Sequence, residues 1–253
     1  MSLTVDRVYN AIDSFAPFET AEEWDNAGML AGLPTAEVDG ILCALELNPA
    51  VLREAAAKGC NLIVTHHPVL FHARQNLRED DPEGALLCDL VRNKVALIAA
   101  HTNFDSANPG VNDALCERLG LDDITVADEG MRIGTPKQAT LGAFADFARH
   151  SLGGSIRVYG ESGKLIHRVA VLGGSGGDFA HIAEAGGADV YLTGEIAHHK
   201  AWDAYLRGVC VLEAGHAATE LPGVDLLKHR LQKALDGVEW NGCIYRSEVE
   251  LFR

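Results

Sequence analysis

Four short apolar runs in this 253-residue chain each stop at a small group of ligand-capable residues. Leu62-Ile63-Val64-Thr65 runs into His66-His67, and Val95-Ala96-Leu97-Ile98-Ala99-Ala100 runs into His101-Thr102-Asn103-Phe104-Asp105. Val190-Tyr191-Leu192-Thr193 runs into Gly194-Glu195. Val209-Cys210-Val211-Leu212 runs into Glu213-Ala214-Gly215-His216, with Glu220 four residues on. A strand with one wet face alternates apolar and polar residues. A strand buried on both faces reads as a continuous apolar run, the mark of a sheet covered by helices. Open sheets of that kind bind ligands beyond the carboxyl ends of their strands. The runs therefore constrain both the fold and the place of a site.

The residues between the runs supply the helices. Val5, Val8, Tyr9, Ile12 and Phe15 fall at helical spacing, and Pro17 ends that helix. Residues 22–28 read as a turn before Met29-Leu30, and 41–45 as a strand. Asn48 is a good N-cap, Pro49 suits the first helical position, and Gly59 stops the helix before a strand over 60–65. This βαβ unit should be parallel and right-handed, and should bring His66 and His67 to the same sheet edge as Glu46 and Asn48. A polar loop near the site is expected over 72–82, helices over 84–93 and 109–119, and a stop at Gly120. Residues 122–135 are polar and weakly patterned, and make the best domain boundary.

Beyond it the alternation restarts. Thr140 caps a helix to Leu152, strands follow at 156–159 and 168–172, and helices at 179–185, 196–206 and 224–235. Residues 244–252 alternate like an edge strand. The expected fold class is α/β, with two similar α/β lobes, helices on both faces of the sheets and a metal site in the cleft between lobes. The first lobe spans 1–125, with 223–253 as a candidate return to it, and the second spans 126–222.

Composition narrows the function. A net charge of −15 disfavours bulk nucleic-acid binding, which needs a basic face. It does not disfavour a small anionic substrate, because a metal can supply local positive charge. No apolar stretch reaches the ~18 residues of a membrane span. Met1-Ser2-Leu3-Thr4-Val5-Asp6 lacks the basic flank of a signal peptide, so a cytoplasmic location is expected. Cys43, Cys60, Cys88, Cys116, Cys210 and Cys243 form no C-x-x-C pair and read as small core residues in a reducing compartment.

His66, His67, Asp105, His216 and Glu220 are the candidate metal ligands: three imidazoles, two carboxylates and no thiolate. That mixture suits zinc, iron, manganese, cobalt or nickel. Adjacent side chains on a strand point to opposite faces, so His66 and His67 can serve one site only at a strand end. There they diverge, which suits two metals with one histidine each. One buried and one solvated histidine would read the same way. Asp105 is a hard oxygen ligand. His101 could ligate, donate a hydrogen bond behind a ligand, or move protons. His216 and Glu220 share a helix face if a helix begins at Gly215, and Glu220 could bridge two ions. Pro222 argues for a single turn there. Glu195, at a strand end, is a candidate acid/base or supporting residue, or simply a carboxylate at a helix N-terminus.

Five ordered segments then resemble one family. They are Trp24-Asp25-Asn26-Ala27-Gly28, Thr65-His66-His67-Pro68, His101-Thr102-Asn103-Phe104-Asp105, Thr193-Gly194-Glu195 and Gly215-His216-Ala217-Ala218-Thr219-Glu220. Together they resemble the NGG-interacting-factor-like family, whose members are also known as dinuclear-metal-centre hexameric proteins and GTP cyclohydrolase I type 2 homologues, in its short bacterial form. The resemblance implies that the five candidates are the ligands of two divalent metal ions. Glu220 would bridge, His67 and Asp105 would serve one ion, and His66 and His216 the other. It further implies a homo-hexameric ring with the metal sites facing an interior cavity. Ala217 departs from many members, which carry histidine or tyrosine there.

The implied activity is metal-dependent hydrolysis of a small-molecule substrate, a nucleotide such as GTP, with His101 or Glu195 moving protons. The alternative is a non-catalytic metal-binding or regulatory scaffold that assembles partners as a ring. Other motifs compete. Gly173-Gly174-Ser175-Gly176-Gly177 matches a G-x-S-x-G nucleophile elbow, with Glu213 or Asp189 and His216 downstream, or else a tight loop offering backbone N–H groups to a phosphate. His198-His199, on a helix, reads as solvated. Trp24 reads as a packing anchor rather than a substrate platform, while Asp25 and Asn26 cap the turn, with a place near the pocket implied by the resemblance.

Overall fold

Asn48 Oδ1 accepts from the backbone N–H of Ala50 (2.9 Å) and Val51 (3.0 Å), and so starts the helix that joins the first two buried strands. The computed structural model describes residues 2–249 and contains two units, one formed by the chain up to Asn108 and again from Val224, the other by Pro109–Gly223.

The first unit begins with α1 (Val5–Asp13), β1 (Gly28–Ala31), β2 (Ile41–Ala44), α2 (Pro49–Ala57), β3 (Leu62–Thr65), α3 (Pro82–Arg92), β4 (Ala96–Ala99) and the short α4 (Thr102–Asp105). The second holds α5 (Val111–Arg118), β5 (Asp122–Val126), β6 (Arg132–Thr135), α6 (Leu141–Leu152), β7 (Arg157–Tyr159), β8 (Val169–Leu172), α7 (Ala180–Ala185), β9 (Val190–Thr193), α8 (His198–Leu206) and β10 (Cys210–Glu213). α9 (His216–Ala234) starts in the second unit, and β11 (Ile244–Arg246) belongs to the first.

The first sheet has strand order β1-β4-β3-β2-β11. β4, β3, β2 and β11 run parallel, and β1 closes one edge antiparallel. The second sheet has order β5-β6-β8-β9-β10-β7, with β8, β9 and β10 parallel and antiparallel strands on both flanks. β2, β3, β4, β8 and β9 are buried end to end because alternate residues enter different cores. In the second unit Val169, Val171, Val190, Leu192, Cys210 and Leu212 pack with α5 and α6. The intervening Ala170, Leu172 and Tyr191 pack with Ala183 of α7, and Val211 packs with Ala201 and Ala204 of α8. Helices therefore cover both faces. In the first sheet Leu42, Ala44, Ile63 and Leu97 pack with α2 and α3.

Three details differ from the sequence reading. Residues 122–135 form the β5–β6 hairpin at the edge of the second sheet. All five β5 residues are exposed, so they lack the apolar pattern of a buried strand. α9 does not stop after a turn but runs through Pro222. Of the expected edge strand over 244–252, Ile244–Arg246 pairs with β2, while 250–252 lie outside the described residues. Among the described residues no helix is long and apolar enough to cross a membrane.

Candidate metal centre

The ligand-capable residues fall at the carboxyl ends of parallel strands in each unit. In the first, β3 ends at Thr65 and β4 at Ala99, and their register sets Thr65 opposite Ala99. The backbone then carries on in step, with His66 N–H donating to Ala44 O and Ala100 N–H to Thr65 O. This pairing brings His66, His67 and His101 together, with one ring nitrogen from each lying within 4.8 Å of the others. His66 is buried, and its Nδ1–H donates to the Ala100 carbonyl at 2.9 Å. That bond sets the tautomer and leaves Nε2 as the ring atom that could ligate a metal, 3.6 Å from Asp105 Oδ1. His67 Nδ1 lies 3.9 Å from Glu46 Oε2, so the expected shared edge of Glu46 and the histidine pair is present.

His101 is held from behind. Its Nδ1–H donates to Asp25 Oδ1 at 2.8 Å. Asp25 Oδ2 accepts from Thr102 N–H (3.1 Å) and Thr102 Oγ1 (2.6 Å), and its side chain is fully enclosed. Burial alone would push this carboxyl up, but the hydrogen bonds from His101 and Thr102 outweigh it and bring it down to about 2. Asp25 also accepts from Asn26 N–H, the capping role read from the sequence. Its grip on His101 was not legible there, since the partners are 76 residues apart. Trp24 is no packing anchor. It is 59% exposed, with its ring edge-on to His101.

In the second unit β9 ends at Thr193 and β10 at Glu213, side by side in register. Gly215 N–H donates to Gly194 O at 3.0 Å, which carries His216 up beside Glu195. His216 Nε2 lies 3.1 Å from Glu220 Oε2, across one turn of α9, and Glu220 is buried. His216 Nδ1 faces Glu195 Oε2 at 3.4 Å and Ser175 Oγ at 3.4 Å. Glu195 thus stands on the far side of the imidazole from Glu220, where a carboxylate orients a ligating histidine. Gly174, at φ +63°, leaves room for Glu220, and any Cβ there would collide with Glu220 Oε1.

The serine-nucleophile arrangement is not formed. Ser175 Oγ donates to Glu195 at 2.9 Å. The acids it would need are engaged elsewhere: Glu213 with Arg157 at 2.6 Å, and Asp189 with the N–H groups of His167 and Arg168. Two N–H groups of the glycine loop are also taken, Gly173 by Asn112 Oδ1 and Gly174 by Thr219 Oγ1, so they are not offered to a phosphate. His198 and His199 are exposed on α8, as expected.

The donor chemistry fits divalent metal. Imidazoles with one nitrogen fixed by a hydrogen bond, beside a buried carboxylate, are borderline nitrogen and oxygen ligands. On the first unit His66, His67 and Asp105 could hold metal, with His101 within ligating reach, and on the second His216 and Glu220 could do so.

A family model described as Duf34/NIF3 (NGG1p interacting factor 3) matches residues 3–250. A Clostridium acetobutylicum protein named GTP cyclohydrolase 1 type 2 homolog is 35% identical over 259 residues, covering 98% of this chain and 97% of its own. The crystal structure of a Staphylococcus aureus hypothetical protein superposes with a TM-score of 0.94 at 29% identity, covering 100% of this chain and 99% of that one. A Bacillus cereus protein related to NIF3 matches the fold with a TM-score of 0.94 at 24% identity, covering 99% and 98% of the two chains.

Proposed function

The chain belongs to the Duf34/NIF3 family, and from that premise we propose that it is a metal-dependent hydrolase using a dinuclear centre. His66, His67, Asp105, His216 and Glu220 would hold the two ions, with Glu220 as the shared ligand that the family resemblance implies. The reading is supported above all by the pinning of His66 and His101. Each has Nδ1–H committed to a protein acceptor, Ala100 O or Asp25, and so presents Nε2 for chemistry. Two divalent ions so held would supply Lewis acidity and water activation near neutral pH.

The relatives' name points to cyclohydrolase chemistry, in which water adds to a ring carbon and the C–N bond opens. The water proton must leave, and the departing nitrogen must gain one. His101 Nε2 accepts the first and returns the second. Asp25 holds the ring in the correct tautomer and steadies the imidazolium, as an orienting carboxylate does behind a general base. Glu195 and Ser175 position His216. The assembly is a homo-hexamer on this reading, as the family resemblance implies.

The test is turnover. Metal-loaded protein is assayed against nucleotides, phosphoesters and cyclic amides, then again with chelator and after metal return. Activity lost with chelator and restored by divalent metal is expected. His101→Ala should keep its metal and lose on the order of 10²–10⁴-fold in rate. A fully metallated protein with no turnover across the panel would replace the hydrolase with the scaffold reading.

A further inference from the structure

Trp24 is 59% exposed and Phe71 is 44% exposed. Single exposed apolar residues are ordinary and need no account. These two are not scattered. Their ring centroids are 5.8 Å apart, and the His101 ring lies 6.1 Å from Trp24 and 6.2 Å from Phe71. His101 is in turn 5.1 Å from the His66 ring and 5.7 Å from that of His67. Two large rings left partly in water each forgo a share of the about 1.5–3 kcal/mol that full burial of such a side chain gives, so core packing alone does not explain their position.

The position is also built. Asn26 Nδ2 donates to Leu70 O at 2.7 Å, tying the turn that carries Trp24 to the segment that carries Phe71. Asp25, beside Trp24, is bound to His101 and Thr102, and Glu22 N–H donates to Thr102 Oγ1 at 3.0 Å. Both rings are therefore anchored through their sequence neighbours while their own surfaces stay open. A groove of about 530 Å³, lined by Asn26, Leu70, Phe71, His72 and Leu77 among others, begins at the same Phe71 ring. That volume lies within the range of small-molecule sites, about 300–1,000 Å³.

We infer that Trp24 and Phe71 form a stacking platform for a planar heteroaromatic substrate, a nucleobase-like ring, and present its edge to His101. The inference rests on the hydrolase reading and deepens it by naming the residues that select the substrate's ring. Flat π-systems stack on exposed aromatic faces whatever their hydrogen-bonding edge, and each such contact is worth about 1–3 kcal/mol. The platform selects for flatness, and His101, as the neighbouring proton-transfer group, acts on the ring so held.

The experiment is a calorimetric titration of the metallated protein with guanosine 5′-monophosphate, adenosine 5′-monophosphate and ribose 5-phosphate, which share the phosphate and sugar and differ by the base. Both nucleotides should bind at least about 10-fold tighter than ribose 5-phosphate. Trp24→Ala should abolish that difference, leave ribose 5-phosphate binding unchanged and keep the fold, since the ring is exposed. Trp24→Phe should retain most of it. Equal affinity for all three ligands, or a base preference that survives Trp24→Ala, would overturn the platform. So would a Trp24→Ala variant that dissociates into smaller species with unaltered ligand binding, which would make the rings a contact between copies of the chain. Base discrimination through Trp24 in a protein that turns nothing over would sink the hydrolase reading alone. Turnover with an unchanged KM in Trp24→Ala would sink the platform alone.

Discussion

Gly174 shows how one residue can set a site. Its φ of +63° lies in the left-handed region, and the space a Cβ would take is filled by Glu220 Oε1. A non-glycine residue in that conformation is destabilised by about 1–2 kcal/mol before any collision is counted. Gly174→Ala should therefore lower the melting temperature and, by displacing Glu220, reduce bound metal on elemental analysis. Wild-type metal content in that variant would show that the backbone does not place the carboxylate. Asp25 is the corresponding residue of the first unit. Asp25→Ala removes the acceptor for Thr102 N–H, Thr102 Oγ1 and His101 Nδ1–H together. Leaving such donors unsatisfied costs about 1–3 kcal/mol, which a denaturant titration would measure. Metal should be kept and the rate should fall, because only the histidine's orientation is lost. An unaltered rate would remove His101 from the proton-transfer role.

At the scale of elements, polar contacts between segments distant in sequence complete the sheets. Arg132 of β6 is buried and reaches Asp113 of α5 through Nε (2.8 Å) and Nη2 (2.7 Å). Asp113 also accepts from Gly110 N–H at the start of α5. Removing Asp113 would leave the buried Arg132 guanidinium without its carboxylate, and breaking a fully buried pair costs about 3–5 kcal/mol, an upper bound for this half-buried one, so Asp113→Ala should be among the more destabilising single changes in the second unit. In the first unit Glu54 of α2 anchors the segment after β11, accepting from Ser247 Oγ and Glu248 N–H and pairing with Lys58. Burial raises the Glu54 carboxyl, but these partners together hold it below its ordinary 4.5. A depressed carboxyl stabilises the fold above its unfolded value and loses that contribution as pH falls through the folded one. The protection of β11 amides, relative to their intrinsic exchange at each pH, should therefore fall as pH drops below about 4.5, and Glu54→Ala should show the lowered protection already at neutral pH. Acid-insensitive protection would contradict the anchor. α9 passes through Pro222 although an interior proline costs about 3 kcal/mol, and Thr219, Glu220, Val224, Leu227 and Leu231 are buried on either side of it. Sequence reasoning stopped the helix at that proline because it weighs the local term and does not see the burial.

For the whole molecule the expectation is two ions per chain in a homo-hexamer. Elemental analysis of protein purified without chelator should approach that ratio. Glu220→Ala should lower both ions and His66→Ala should spare one, while full metal in Glu220→Ala would refute the bridge. A 27.1 kDa monomer as the sole species in sedimentation would refute the hexamer. Much of this protein is determined by its sequence alone. The continuous runs at 62–65, 96–99, 190–193 and 210–213 specify strands buried on both faces, Asn48 and Thr140 specify helix starts, and the ligand-type residues sit where those strands end. These features depend on burial period and on caps, both of which act within a few residues. Only the tertiary structure decided that Asp25 grips His101, that Ser175 and Glu195 converge on His216, that Trp24 stays in water, and that 122–135 pairs as a hairpin. Each of these depends on which remote segment arrives at a strand end, and a hydrogen bond across 76 residues leaves no periodicity in the sequence to betray it.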